Sequence, residues 1–158
     1  MSKRQTGFTM IELIVVIVIL GILAATALPR FIGIQTTARV SILNGARGAV
    51  AAGMNLAAAA QQVAGLGSNV SVTMDGVGVS MVGGYPIATG TASGIFGAAG
   101  LSAEYDTTGG GTALGSVLTI RVKDSPAPAT CAFTYTAANV VGASVVAPTV
   151  TAPVTTGC

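Results

Sequence analysis

The sequence lacks most of the residues that catalyse reactions and bind metal ions. It has no histidine and no tryptophan, only two cysteines, and 8% charged residues. Without histidine there is no imidazole general base, catalytic triad or imidazole metal site. A glycine-rich phosphate loop with its lysine and a Cys-x-x-Cys pair are also missing. We therefore expect no catalytic residue, no metal site and no cofactor, and nothing favours an enzyme.

Charge is scarce and nearly balanced. The chain has seven Lys or Arg and five Asp or Glu, a formal net charge of +2. Lys3 and Arg4 supply that excess, since without them five basic residues face five acidic ones. This balance argues against nucleic acid as a partner. With 51% hydrophobic residues and a mean hydropathy of +0.77, the composition favours a membrane protein or a permanent assembly.

A long apolar run follows a short basic segment at the N-terminus. Residues 1–7 are polar and basic, whereas residues 8–28 carry one charge, Glu12. As a helix, residues 8–28 would be about 31 Å long, which matches the core of a bilayer. The basic residues in front predict that the N-terminus stays in the cytoplasm.

Two ordinary explanations fit this segment poorly. A secretory signal has a shorter apolar core that ends at a small-x-small cleavage site. A plain membrane anchor has the right length but does not explain Glu12. A carboxylate within an apolar span is costly and is by default a functional residue with a partner.

The stretch Lys-Arg-Gln-Thr-Gly-Phe-Thr-Met-Ile-Glu-Leu, residues 3–13, resembles the class III signal of type IV pilins and type II secretion pseudopilins. The resemblance implies that prepilin peptidase cuts between Gly7 and Phe8 and N-methylates Phe8. It also implies that Glu12 pairs with the terminal amine of a neighbouring subunit during assembly. Gly7, which lacks a side chain, lets a protease approach the peptide closely.

The helix is predicted to continue past the apolar run. Pro29 removes a backbone donor and predicts a kink, and in this family the stretch from a glycine matching Gly21 to this proline often unwinds. Residues 29–64 form an amphipathic continuation, and Gly65 is a plausible C-terminal cap. The predicted apolar stripe comprises Phe31, Ile34, Ala38, Ile42, Ala46, Ala49, Gly53, Leu56 and Ala60. Small residues at Gly45, Gly48, Ala49, Ala52 and Gly53 would permit close packing of helices.

Residues 65–158 are predicted to form a small β-rich head. Asp75-Gly76 lies between two short apolar segments and predicts a hairpin. Residues 118–123 and 131–136 alternate between apolar and polar, as half-exposed antiparallel strands do. The Val-, Thr- and Pro-rich tail, residues 143–158, is expected to be an edge. In an exported protein Cys131 and Cys158 are expected to form a disulfide rather than two separate buried thiols.

The overall prediction is an α+β, pilin-like fold. It consists of a cleaved leader (1–7), a transmembrane and filament-core half of the helix (8–28), an amphipathic half (29–64) and the head (65–158). The segments around residues 84–86 and 131–135 resemble the heads of mannose-sensitive haemagglutinin-type pilins. Pseudopilin heads often bind calcium, but Glu104, Asp106 and Asp124 are more typical of solvated loop charges.

The predicted function is that of a structural subunit of a type IV pilus that serves adhesion, attachment or motility. The expected partners are other pilin subunits, prepilin peptidase and the inner-membrane assembly platform. The protein would span the inner membrane once before assembly and then join an extracellular pilus of a Gram-negative-type bacterium. The alternatives are a type II secretion pseudopilin and a minor pilin that acts as a binding module.

Overall fold

The computed structural model describes residues 7–158, without the side chains of residues 28–32. The chain divides into two compact units, one up to Thr37 and one from Ala38 to Cys158. Its elements are, in chain order, α1 (Met10–Val63), β1 (Val72–Met74), β2 (Val77–Val79), β3 (Met81–Val82), β4 (Tyr85–Pro86), α2 (Ile95–Ala98), β5 (Tyr105–Gly109), β6 (Val117–Val122), a 3₁₀ helix (Pro128–Thr130), β7 (Ala132–Thr136), β8 (Asn139–Val141), β9 (Ser144–Val146) and β10 (Thr149–Val150). The predicted α+β class is confirmed.

The first unit is an apolar helix with every described side chain exposed. The 18 residues Met10–Ala27 have a mean hydropathy of 2.7, and none of them is buried. By length and composition this part of α1 is able to cross a membrane. Residues 1–6 of the predicted leader and the side chain of Pro29 lie outside the described residues.

In the second unit, α1 packs on a sheet through one face. Leu43, Ala46 and Val50 are buried there, with Gly53 and Ala57 further along the same face. These positions are three or four residues apart, as expected for one side of a helix. The predicted stripe was therefore wrong at three of its large residues, because Ile34 and Leu56 are each 61% exposed and Ile42 is 40% exposed. Alanines and glycines occur all round this helix, so its apolar pattern did not determine which face is buried.

The main sheet has four antiparallel strands in the order β10-β7-β6-β5. Its inward side chains alternate with outward ones, as the sequence pattern predicted for residues 118–123 and 131–136. The inward residues form one hydrophobic core with the buried face of α1: Leu118, Ile120, Val122, Phe133 and Tyr135. Strand β10, followed by the C-terminal segment, covers the free side of β7.

Tyr135 is the largest side chain buried in this core. Its hydroxyl donates a 2.7 Å hydrogen bond to the carbonyl oxygen of Pro86, which joins the sheet to β4. Burial raises the pKa of Tyr135 well above its ordinary value, so the hydroxyl keeps the proton that it donates. The single polar atom of this side chain is thus paired inside the core.

Three smaller two-stranded sheets complete the head, β1–β2, β3–β4 and β8–β9. The predicted hairpin at Asp75-Gly76 is confirmed, since both residues have positive φ angles (49° and 79°) and join β1 to β2. Ala57 of α1 packs under this hairpin with Val72, Val79 and Met81. The β8–β9 hairpin is exposed on all its residues.

The end of α1 confirms the predicted cap at Gly65. Gly65 has a φ of 64°, its N–H donates to the carbonyl of Gln62, and the N–H of Leu66 donates to the carbonyl of Gln61. These two bonds form a Schellman motif, which satisfies the last helical carbonyls. The buried amide of Gln61 also donates to the carbonyls of Gly67 and Val70, which fixes the loop that leads to β1.

At Gly53, α1 lies close to the backbone at the end of α2. A Cβ placed at Gly53 would lie 2.6 Å from the carbonyl oxygen of Ala98 and 2.9 Å from the Cα of Ala99. At Gly48, on the same helix, an added Cβ would meet nothing within 4 Å. Gly53 is therefore required for packing within the subunit, whereas Gly48 is not.

We predict opposite effects of alanine at these two glycines. Gly53→Ala should lower the free energy of unfolding by about 1–3 kcal/mol, because the backbone of α2 must move away. Gly48→Ala should raise it by up to about 1 kcal/mol, because alanine is the better helix former and has free space. Denaturant unfolding of the detergent-solubilised subunit measures both values. Equal effects at the two positions would contradict this packing.

The C-terminal segment is fastened to the head at several points. Cys131 and Cys158 form a disulfide with a sequence separation of 27 residues. Arg39 donates from Nη1 to the carbonyl oxygen of Cys158 at 3.1 Å, and Arg47 donates from Nε to that of Thr151 at 2.9 Å. Because these arginines are two helical turns apart, about 12 Å along α1, they hold the segment at two separate places.

We expect the disulfide to supply a large share of the stability of the head. Closing a loop of this size contributes roughly 3–4 kcal/mol in the chain-entropy model. The free energy of unfolding should fall by about this much, and almost equally, in the single variant Cys158→Ala and the double variant Cys131→Ala/Cys158→Ala. Either change removes the covalent bond. Urea unfolding of the detergent-solubilised subunit measures the loss, and wild-type stability of the double variant would contradict the prediction.

Candidate assembly site

The predicted assembly residues lie together at the start of α1. Gly7 and Phe8 precede the helix, Phe8 is 91% exposed, and Glu12 lies in the first helical turn. A shallow cleft at this end of the chain is lined by Gly7, Phe8, Thr9 and Glu12. The Gly7–Phe8 peptide is thus in an open, non-helical stretch next to the carboxylate.

Thr9 binds the carboxylate of Glu12 at the first turn. The Thr9 N–H donates to Oε2 of Glu12 at 2.9 Å, and the Thr9 hydroxyl donates to the same oxygen at 2.7 Å. In return, the N–H of Glu12 lies 3.3 Å from Oγ1 of Thr9. This reciprocal pairing is a capping box, which satisfies N–H groups that the first turn leaves without a helical partner.

The capping box gives Glu12 a partner within its own chain. The carboxylate also lies at the N-terminal end of α1, where the helix dipole favours a negative charge. A single subunit therefore holds Glu12 in a defined position before any second subunit approaches it. Glu12 was predicted from the sequence and Thr9 was not, although the spacing Thr9-x-x-Glu12 is a recognised capping signal.

The other predicted site residues lie away from this turn. Gly21 is in the middle of the apolar part of α1, and a Cβ added there would meet nothing within 4 Å. The proposed kink at Gly21 and Pro29 stays a prediction. Cys131 and Cys158 are in the head. Among residues 7–158, no group of three or more Cys, Asp or Glu is arranged to hold a metal ion.

Comparisons with known proteins agree with the site at the N-terminus. Residues 2–28 match the family described as the prokaryotic N-terminal methylation motif. Over 54 residues the chain is 43% identical to the type II secretion system core protein G of Pseudomonas aeruginosa, which is 34% of this chain and 38% of that protein. Over 40 residues it is 53% identical to the type IV major pilin protein PilA of Myxococcus xanthus, 25% of this chain and 18% of that protein.

The matched region is short, so the chain spans less than two fifths of the length of these curated relatives. No solved structure matches the chain. The methylation motif and the apolar helix that begins within it carry the likeness to known proteins. Together with the two relatives, they support membership of the type IV pilin and type II secretion pseudopilin family.

We predict that Thr9→Ala loosens the first turn of α1 and that Thr9→Ser does not. Loss of an N-cap side chain costs about 1 kcal/mol, and serine retains the hydroxyl. Amide hydrogen exchange of the subunit in detergent micelles should therefore become about fivefold faster across the first turn in Thr9→Ala. Unchanged exchange in that variant, with Thr9→Ser as the reference, would show that the capping box does not hold this turn.

Proposed function

We propose that the chain is a structural subunit of a type IV pilus, cut by prepilin peptidase between Gly7 and Phe8 and N-methylated at Phe8. The observation that carries this proposal is the match of residues 2–28 to the methylation motif. The exposed position of Phe8, before α1 begins, supports access of the peptidase to this peptide. The pilus would serve adhesion, attachment or motility.

Before assembly, the apolar part of α1 anchors the subunit in the inner membrane, with the leader in the cytoplasm. The exposed apolar surface of Met10–Ala27 supports this step, since a bilayer would cover it. The assembly platform then moves the subunit into an extracellular filament, where neighbouring copies replace the lipid. The head likeness to mannose-sensitive haemagglutinin-type pilins stays a prediction, because the family match covers residues 2–28.

In the filament, the carboxylate of Glu12 on one subunit accepts a hydrogen bond from the positively charged amine of Phe8 on a neighbour, which cleavage has released. A charge that leaves water without a partner is strongly destabilising, and two opposite charges tolerate burial only at close range. The pair therefore selects one register among the many that an apolar helix allows. Thr9 keeps the carboxylate in place until that amine arrives.

Replacing Glu12 separates anchoring from assembly. Glu12→Gln retains an oxygen for the capping box but removes the charge, so the helix end should persist while filaments fail to form. Glu12→Ala should also fail to form filaments. Glu12→Asp should give an intermediate number of filaments, because it keeps the carboxylate on a side chain that is one methylene shorter. Insertion should not suffer, since removing a charge from an apolar helix improves its partitioning into the membrane.

The measurement is a count of sheared surface filaments by electron microscopy, with the membrane level of the subunit as the control. Intact mass of the membrane-held variant shows whether it begins at N-methyl-Phe8. Wild-type filament numbers from Glu12→Gln would contradict the charge pairing. A wild-type subunit that retains Met1 in filaments would contradict the proposed processing.

A second candidate is a type II secretion pseudopilin. The 43% identity over 54 residues to core protein G of Pseudomonas aeruginosa favours it. The pilus proposal and this one share the same processing and the same role for Glu12, so a deletion strain distinguishes them. Loss of surface filaments supports the pilus, whereas loss of protein export with filaments intact supports the pseudopilin.

A further inference from the structure

The head keeps most of its few charges in one place. Of the eight charged residues between 38 and 158, Arg47 binds the C-terminal segment and Asp75 lies in the β1–β2 turn. The other six form what we call the charged patch: Glu104 and Asp106 at the start of β5, Arg121, Lys123 and Asp124 at the end of β6, and Arg39 of α1.

Two adjacent strands set the order of these charges. Asp106 of β5 lies directly opposite Arg121 of β6. The N–H of Lys123 donates to the carbonyl oxygen of Glu104 at 3.0 Å, so these two residues face each other at the next outward position. Arg39 and Asp124 join Glu104 and Lys123 around one open cleft of about 430 Å³. Two acidic residues, Glu104 and Asp106, thus lie on the β5 side, opposite two basic residues on the β6 side; Asp124 follows those two basic residues, and Arg39 belongs to α1.

The charged side chains of the patch do not pair with one another within the subunit. Among the described residues, no ion pair links any two of its six side chains. Arg39 bonds the backbone carbonyl of Cys158, and the Nε of Arg121 is buried without a hydrogen-bond partner. Glu104, Asp106 and Lys123 are exposed, as is Asp124. These charges are available to a partner.

The composition of the patch points to one kind of partner. Three cations and three anions cancel, so the patch offers no net attraction to a polyanion or an anionic membrane. A row of anions beside a row of cations is, however, complementary to itself. A twofold rotation places Lys123 of one copy against Glu104 of the other, and Glu104 against Lys123.

We propose that the charged patch binds the same patch on a second copy of this chain. The contact joins two heads and does not use Glu12, so it is separate from the pairing that builds the filament. Because Glu104 and Lys123, the two residues that pair across it, are exposed, the contact is sensitive to salt, with a screening length of about 10 Å at 0.1 M and about 3 Å at 1 M. It forms at low ionic strength and dissociates at high ionic strength.

Charge reversal tests the contact with the full chain in a non-ionic detergent, by analytical ultracentrifugation at low salt. Lys123→Glu and Glu104→Lys should each raise the dissociation constant of the dimer tenfold or more, because like charges then face each other. An equimolar mixture of the two variants should dimerise again, since the reversed charges are complementary between copies. The double variant Lys123→Glu/Glu104→Lys should recover as well.

The mixture separates a contact between copies from damage to the fold, because a misfolded head would not recover on mixing. Gln62→Glu and Asp75→Asn are the controls, as each shifts the net charge by one unit outside the patch. The measurement is repeated in a Glu12→Ala background, which is expected not to form filaments, so that pairing of the heads is measured separately from filament assembly. A monomeric wild type at low salt, single variants that pair like the wild type, or a mixture that stays apart would each overturn the proposal.

Discussion

A carboxylate at the beginning of an apolar helix has to find positive or hydrogen-bonding partners, and the structure shows the first of them. The backbone N–H and hydroxyl of Thr9 both donate to Oε2 of Glu12. Those donors, with the dipole of α1, make the charge tolerable in a single chain. They do not neutralise it. In the assembly that we propose, the remaining charge makes the amine of a neighbouring subunit the favoured partner once water and lipid are excluded.

The head is built under a related constraint, because the chain has few charges and few large side chains. Its core depends on one close helix contact at Gly53, on Tyr135 and Phe133 beneath the sheet, and on a disulfide. Arg39 and Arg47 are used as hydrogen-bond donors to the C-terminal segment. Apart from Arg47 and Asp75, the charged residues between 38 and 158 lie together, at the start of β5, at the end of β6 and at Arg39 of α1.

Signals between neighbouring residues predicted much of this fold. Contacts between residues far apart in the sequence could not be predicted from such signals. The Asp75-Gly76 turn, the alternation along β6 and the cap at Gly65 are set by neighbouring residues, so they could be predicted from the sequence. The buried face of α1 could not, because alanine and glycine occur on every side and burial depends on what the sheet presents. The targets of Arg39 and Arg47 lie more than 100 residues away. Thr9 was predictable from its spacing to Glu12.

The pairing of the Phe8 amine with Glu12 between subunits is tested most directly inside filaments. Filaments grown from a mixture of two subunits, one with a ¹⁵N-labelled Phe8 amine and one with a ¹³C-labelled Glu12 carboxylate, carry the two labels on different copies. Solid-state NMR should then detect magnetisation transfer between the labels, because the pair is expected at hydrogen-bonding distance. Intact filaments in which these labels exchange no magnetisation would contradict the account.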